Sequence, residues 1–215
     1  EDARQSIKQL LAKPAYRNIV YALVVYFLMA YGALVFTASF MIRVHGLTVA
    51  EAGGLFGIMS AVGAVVGNLG GGKLGDHLAK RDIAWVARFP GLALIAALPL
   101  YVGSFAMGSV ALMIPLSLLG GILLTGAVPT IFAALHLICG SKRRAMAVAL
   151  AFFFANLIGL GLGPVLAGAI SDHMAQIYGP AEGLRYALMI MSLTFLPAGI
   201  FMLRASKYLK SDAEE

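Results

Sequence analysis

A run of ten residues, Gly72–Arg81, holds the densest set of groups in this sequence that could do chemistry. Asp76 follows Gly72 by four residues, and the basic residues Lys80 and Arg81 follow Asp76 by four and five. A carboxylate at a helix end can accept hydrogen bonds from backbone N–H groups or pair with basic side chains. The spacing therefore predicts that Asp76 latches two successive helices; a merely solvated turn is the alternative.

Other reactive residue types are sparse. The single cysteine, Cys139, excludes an internal disulfide and a CxxC metal site. The four histidines are far apart along the chain and lie near the ends of apolar segments: His45, His77, His136 and His173. Those segments also lack the Ser–His pair or the two buried Asp residues that an intramembrane protease, the enzymatic alternative, would need. We therefore predict no catalytic residues, no metal site and no cofactor, and a protein that is not an enzyme.

The elements that position these groups are set by composition. Hydrophobic residues make up 60% of the 215 residues, charged residues only 12%, and the mean hydropathy is +0.89. A soluble domain carries about 25% charged residues, so lipid must be the solvent for this chain. The formal net charge of +6 comes from short basic clusters between apolar runs rather than from one basic face, which argues against a nucleic-acid partner.

The apolar runs predict an all-α membrane protein with six transmembrane helices. A helix needs about 20 mostly apolar residues to cross a bilayer, and six segments meet that requirement. They are Ile19–Ile42, Val49–Leu74, Ile83–Phe105, Val110–Leu137, Ala145–Ile170 and Leu184–Leu203.

Basic residues predict the orientation of these spans. Fourteen of the sixteen Lys and Arg residues fall on one side, namely Arg4, Lys8, Lys13, Arg17, Lys73, Lys80, Arg81, Arg88, Lys142, Arg143, Arg144, Arg204, Lys207 and Lys210. Only Arg43 and Arg185 fall on the other. The positive-inside rule then predicts that both termini are cytoplasmic. We divide the chain into a cytoplasmic interdomain or interfacial segment (1–15), the six-helix region (16–205) and a cytoplasmic tail (206–215), in a plasma or inner membrane.

Glycines recur every four residues in two of the spans. The second span carries Gly63, Gly67, Gly71 and Gly75, and the fifth carries Gly159 and Gly163 followed by Ala167. Small residues at this spacing let helix backbones approach closely in a membrane, where apolar burial gives no net drive for association. We predict that both spans pack through these residues.

The charged loop resembles the G-x-x-x-D-R-x-G-R-R signature of the major facilitator superfamily. Gly72, Asp76, Lys80 and Arg81 match the pattern, whereas His77 replaces the usual Arg and Ala79 the usual Gly. A weaker copy of this loop recurs between helices 8 and 9 of that family, and the degenerate form here suits that copy. The resemblance implies that the six spans are helices 7–12, the C-terminal half of the fold.

Further segments resemble the spinster branch of the superfamily, whose members export sphingolipids and lysolipids. Arg144–Ala147, Gly159–Pro164 and Gly168–Asp172 resemble its eleventh helix, and Tyr31–Leu34 resembles part of its seventh. Arg144 therefore joins the signature loop as a predicted gating residue. One departure from the branch is Gly121, at a position where Glu is expected.

The superfamily fold implies that the first and fourth spans face the transport cavity. The aromatic, hydroxyl and apolar residues that we predict to line it are Tyr31, Phe36, Thr37, Phe40, Thr125, Val128 and Phe132. This uncharged mixture suits a substrate with an apolar tail and a small polar group.

The predicted function is secondary active transport by alternating access, with export of a lysolipid-like or sphingolipid-like molecule. The predicted partners are membrane lipids, the amphipathic substrate and an N-terminal six-helix half of the same transporter. The chain starts Glu1-Asp2-Ala3-Arg4 without an initiator Met, which favours residues upstream. A transporter of another small organic molecule or drug and a self-contained six-span oligomeric carrier are the alternatives.

The orientation can be tested by labelling single cysteines from outside the cell. A membrane-impermeant reagent should react with a cysteine placed at Gly46 or Gly179 and should not react with one at Ser141. The reverse pattern of labelling would overturn the predicted topology.

Overall fold

A computed structural model describes residues 3–213, and the side chains of residues 5–140 and 143–213. Residues 1, 2, 214 and 215 of the predicted flanking segments lie outside the described residues, as do the side chains of Arg4 and Lys142. The described chain is a short helix followed by six long ones. Their bounds are α1 Ala3–Ala12, α2 Pro14–His45, α3 Val49–Ala79, α4 Trp85–Ala106, α5 Val110–Gly140, α6 Arg143–Tyr178 and α7 Pro180–Asp212.

The six long helices confirm the predicted spans, since each is long and apolar enough to cross a membrane. Five of them are longer than the sequence predicted, and α4 begins two residues later than expected. Its start is delayed because Asp82 forms a turn, in which the Ala84 backbone N–H donates to the Asp82 carboxylate at 3.1 Å. The chain is thus an integral, multi-pass membrane protein.

Local sequence sets the ends of α2 and the start of α3. Pro14 occupies the first turn of α2, where its missing N–H costs no hydrogen bond. Gly46 ends α2 with a φ of 70°, and its N–H donates to the Ile42 carbonyl at 3.1 Å. α3 then begins with a capping box, in which the Glu51 N–H donates to Thr48 Oγ1 at 3.3 Å and the Thr48 N–H to Glu51 Oε2 at 2.8 Å.

Two breaks divide the second half of the chain. Gly140 has φ 61° and ψ 171°, a conformation that favours glycine, and it separates α5 from α6. α7 is interrupted at Leu193 and Thr194, three residues before Pro197. Because Pro197 has no N–H to donate and its ring crowds the preceding turn, the regular hydrogen-bond ladder is lost there.

Both ends of the described chain lie at the same end of the bundle, here called the terminal end. The Ala15 backbone N–H donates to the Asp212 carboxylate at 2.8 Å, and Lys13 Nζ donates to the Asp212 carbonyl at 3.0 Å. Tyr16 is fully buried beside them, and its hydroxyl donates to the Ala147 carbonyl of α6 at 2.8 Å. These contacts join α2, α6 and α7 at the terminal end.

The helices approach closely where glycines face each other's backbones. On α3, a Cβ built at Gly67 would lie 2.6 Å from the Ile122 carbonyl of α5 and 3.0 Å from the Gly126 nitrogen. On α6, a Cβ at Gly163 would lie 2.5 Å from the Leu28 carbonyl of α2. Such distances leave no room for even a methyl group, so α3 lies against α5, and α6 against α2, through these glycines.

Gly163→Ala is expected to destabilise the bundle, because the added methyl group would force α2 and α6 apart. Overpacking of this kind costs about 1–3 kcal/mol of the free energy of unfolding. Gly161→Ala is the matched control on the same helix, since a Cβ there meets nothing within 4 Å. Melting temperatures of the two purified variants should differ clearly, with the control close to wild type. Equal melting temperatures would contradict the close packing of α2 on α6.

Candidate functional site

One cavity, here called the large cavity, lies between α2, α3, α4, α5 and α7 and has a volume of about 320 Å³. Thr37 of α2 and Thr125 of α5, both predicted from the sequence, line it. The other lining residues are Tyr26, Met29, Ala30, Ala33, Leu34, Phe56, Met59, Ser60, Gly63, Tyr101, Phe105, Ser117, Gly121, Leu124 and Phe195. None of these residues carries a charge.

The small cavity, of about 230 Å³, lies between α2, α5 and α6. Tyr31, Val128 and Phe132, again predicted from the sequence, line it. The remaining lining residues are Leu23, Tyr26, Phe27, Ala30, Leu34, Ile131 and Phe152. Tyr26, Ala30 and Leu34 line both cavities, so one face of α2 forms a shared wall between them.

Phe36 and Phe40 were also predicted as lining residues, but the structure places them outside both cavities. Phe40 is fully buried one turn beyond Thr37, where its ring packs edge-on against Phe105 with 5.2 Å between centroids. Phe36 points from a different side of α2 toward α6, and its Cζ lies 3.6 Å from the Cβ position of Gly168. The sequence predicts which helix carries each residue, but it does not predict how far along that helix the cavity extends.

α4 contributes lining residues that the sequence analysis missed, above all Tyr101. A Cβ built at Gly120 would lie 2.7 Å from the Tyr101 ring, and one at Gly121 would lie 3.8 Å from its hydroxyl. The glycine pair of α5 therefore makes room for an aromatic side chain from α4. The sequence signal that could have indicated this contact is an aromatic residue, Tyr101, in one span and the pair Gly120-Gly121 in the next.

Both threonine hydroxyl groups of the large cavity donate to nearby carbonyls. Thr37 Oγ1 donates to the Ala33 carbonyl at 2.6 Å within α2. Thr125 Oγ1 donates to the Gly63 carbonyl at 2.6 Å and thereby joins α5 to α3. Ring packing and satisfied hydroxyls leave a surface that is mostly apolar with a few oxygen atoms.

The small cavity has a polar contact behind it. The Tyr31 hydroxyl of α2 donates to the Asn156 side-chain oxygen of α6, and the Asn156 amide donates to the Phe152 carbonyl at 2.7 Å. Because both polar side chains bond each other, the face that Tyr31 presents to the cavity is its apolar ring.

The signature loop lies at the terminal end, where the side chains of Asp76, Lys80 and Arg81 are exposed. Within the described residues Asp76 makes no ion pair, and the Arg81 guanidinium lies 3.4 Å from the His77 ring nitrogen. The predicted latch between Asp76 and the basic residues of its own loop is therefore not formed in this structure. Arg144, the other predicted gating residue, is exposed near the start of α6.

Ion pairs between helices at the terminal end are made by Asp82, which was not singled out from the sequence. Its carboxylate lies 3.3 Å from Arg88 of α4 and 3.1 Å from Lys210 of α7. The backbone N–H of Ala84 and the two cations hold the pKa of Asp82 below its ordinary value, the N–H having the largest effect. Asp82 sits six residues beyond Asp76, where the chain turns into α4 and meets the end of α7.

Among the described residues, no group of three or more His, Cys, Asp or Glu side chains is arranged to hold a metal ion.

Comparison with known proteins finds relatives among membrane transporters. The chain is 26% identical over 207 residues to an MFS-type efflux pump of Mycolicibacterium smegmatis, with 96% of this chain and 48% of that protein aligned. It matches the inward-facing, unoccupied crystal structure of a bacterial homolog of the human lysosomal transporter spinster with a TM-score of 0.88 and 25% identity, over 100% of this chain and 52% of that chain.

The inward-facing, occupied structure of such a homolog matches with a TM-score of 0.82 and 24% identity, over 95% of this chain and 51% of that one. No family model matches the sequence. The chain spans about half the length of each of these relatives.

Asp82→Asn is expected to lower the melting temperature at pH 7, because the uncharged Asn side chain cannot form ion pairs with Arg88 and Lys210. The effect should be modest, since Lys210 is 69% exposed and such pairs are weakened by solvent. A lowered pKa means that the stabilisation is present above the unfolded-state pKa of about 3.9 and is lost as the pH falls through the folded-state value.

The difference between wild type and Asp82→Asn should therefore shrink as the pH falls below about 4. Asp76→Asn is the matched control in the same turn region, and its melting temperature should equal that of wild type at every pH. A larger loss with Asp76→Asn than with Asp82→Asn would contradict this assignment.

Proposed function

We propose that this chain is the substrate-binding C-terminal half of a lipid transporter. The premise is that it has the fold of one half of a major facilitator superfamily transporter and resembles its spinster type. The resemblance that the sequence predicted is confirmed by the relatives, which are transporters. The substrate we assign is an amphiphile of lysolipid or sphingolipid size.

The observation that carries this proposal is the absence of charge from both cavity linings. An acyl chain gains roughly 0.8 kcal/mol for each CH₂ group that leaves water. A sugar, by contrast, would leave hydroxyl groups unpaired in this lining, at about 1–3 kcal/mol for each buried group. The balance favours a molecule that is mostly hydrocarbon, with its charged headgroup met mainly by the other half of the transporter.

The partner we propose is an N-terminal six-helix half of the same transporter. Large apolar side chains on α3 and α6 are exposed, among them Val65 and Leu69 on α3 and Leu157 and Val165 on α6. Lipid or a second helical half would cover such surfaces. In this arrangement residues 16–205 form the C-terminal half, residues 1–15 the interdomain segment and residues 206–215 a cytoplasmic tail.

Transport by alternating access would rock this half against the other around a site between them. We place the terminal end in the cytoplasm of a plasma or inner membrane, because the sequence assigns fourteen of the sixteen Lys and Arg residues to that side of the spans. The exposed carboxylate of Asp76, with Lys80, Arg81 and Arg144, is then available to pair with the other half as it moves. Asp76→Asn should slow transport although the melting temperature is unchanged.

A second candidate function is export of another small organic molecule or drug. The relative from Mycolicibacterium smegmatis, which is named as an efflux pump, favours it. A self-contained six-span oligomer is disfavoured, because the relatives are about twice the length of this chain.

Val128→Trp tests the lipid assignment, because the indole ring would fill the small cavity. Transport of a labelled lysolipid by the full-length protein in proteoliposomes should fall at least tenfold. Leu119→Trp is the matched control on α5, where the native side chain is 53% exposed and lies outside both cavities. Its transport rate should stay near that of wild type.

Thermal-shift measurements with lysolipids, sphingoid lipids, sugars and amino acids complete the test. Stabilisation by a lipid is the expected result. Stabilisation by a sugar and by none of the lipids, or unchanged lipid transport by Val128→Trp, would contradict the proposal.

A further inference from the structure

Six side chains with hydroxyl groups line the large cavity, and three of them have already used their only hydrogen. Thr37 and Thr125 donate to carbonyls of α2 and α3. Ser104, behind the wall, donates to the Met113 carbonyl at 3.2 Å, so Ser117 supplies the hydrogen of the bond between the two serines. These groups can accept a hydrogen bond from a ligand but cannot give one.

Tyr26 and Tyr101 are different, since their hydroxyls donate no hydrogen bond within the described residues. Both rings pack against Phe195, with 6.3 and 5.5 Å between centroids, so the two tyrosines flank one phenylalanine on the same side of the cavity. The third unpaired hydroxyl, that of Ser60, is on an exposed residue of α3. The two phenol groups, one on α2 and one on α4, are thus the hydrogen-bond donors that the cavity offers beside Phe195.

The charge of the ligand group that meets these donors follows from the lining. No Asp, Glu, Lys, Arg or His side chain lines the large cavity. An ion brought there without a counter-charge would lose far more solvation than two phenol groups return. A carbonyl, ether or hydroxyl oxygen has no such cost, and it accepts the bonds that the phenols are able to donate.

An ammonium group held by aromatic faces is the competing occupant, because cations bind to such faces. The rings here pack against each other: Phe105 contacts Phe40 and Tyr101, and Phe195 contacts both tyrosines. Phe105 and Phe195 are 2% and 1% exposed. The aromatic cluster therefore offers hydroxyl groups to the cavity rather than an open cage.

We propose that Tyr26 and Tyr101 bind an uncharged hydrogen-bond acceptor of the substrate, and that the adjoining hydrocarbon chain enters the small cavity past Tyr26. The shared wall of Tyr26, Ala30 and Leu34 makes the two cavities neighbours. This inference rests on the proposed lipid transport and deepens it: the substrate class is an amphiphile with a neutral oxygen-bearing group next to its chain, and any charge lies beyond this half.

The test uses the full-length protein in nanodiscs and measures binding of radiolabelled 1-monooleoylglycerol. The variants are Tyr26→Phe, Tyr101→Phe and the double variant, each of which removes a hydroxyl and keeps the ring that packs on Phe195. Tyr21→Phe is the matched control, since Tyr21 is 52% exposed and lies outside both cavities. Melting temperatures of all variants verify that the bundle is intact.

The double variant should bind 1-monooleoylglycerol about tenfold more weakly, which is the combined effect of two ordinary hydrogen bonds. The control should match wild type. Unlabelled oleylamine and oleate, which present a cation and an anion on the same chain, should compete poorly, and their competition should not depend on the two hydroxyls. Unchanged binding by the double variant, or oleylamine competing better than 1-monooleoylglycerol, would overturn the assignment.

The experiments distinguish failure of the acceptor site from failure of the proposed lipid transport. Lipid transport that is lost with Val128→Trp but indifferent to both tyrosine hydroxyls would refute the acceptor site alone. Binding of 1-monooleoylglycerol that depends on both hydroxyls, in a protein that transports no lipid, would support the site and refute the transport assignment.

Discussion

Close approach of helix backbones is the constraint on which the rest of this bundle depends. In lipid, apolar side chains gain nothing by leaving one hydrocarbon surface for another, so packing and interhelical hydrogen bonds must hold the helices. The glycines that face α5 and α2 remove the side chains that would separate the axes. Because α3 is close to α5, the Thr125 hydroxyl reaches the Gly63 carbonyl and bonds the two helices beside the large cavity.

The cavities exist because packing is uneven along the bundle. Where glycine meets backbone, the helices touch; where Tyr26, Tyr101 and Phe195 meet, bulky rings hold the helices apart and leave space beside them. The Thr37, Thr125 and Ser117 hydroxyls around that space bond within the bundle, so the Tyr26 and Tyr101 hydroxyls are the main donors left for a ligand. The terminal end, in contrast, is joined by charged and polar groups such as Asp82 and Asp212, which water and headgroups can solvate.

Much of the fold was predictable from sequence because the membrane imposes a strong, local rule. A segment of about 20 apolar residues has to be a helix, as every backbone polar group must bond within it. The four-residue spacing of Gly67 and Gly71 likewise predicts a close contact with a neighbouring helix, since residues four apart share a helix face. The partner of that contact, Gly126, was not predictable, because no pattern within one helix says which neighbour it meets.

Sequence by itself determined the six spans, the glycine faces, the uncharged character of the predicted cavity residues and the resemblance to a transporter half. Tertiary structure decided which residues of each span reach a cavity: Tyr101 does and Phe40 does not. It also decided that Asp82, rather than Asp76, pairs with basic side chains of other helices. The physical reason is the same in each case. Hydropathy and spacing act along one helix, whereas cavities and ion pairs depend on distances between helices, which are set only when all six pack together.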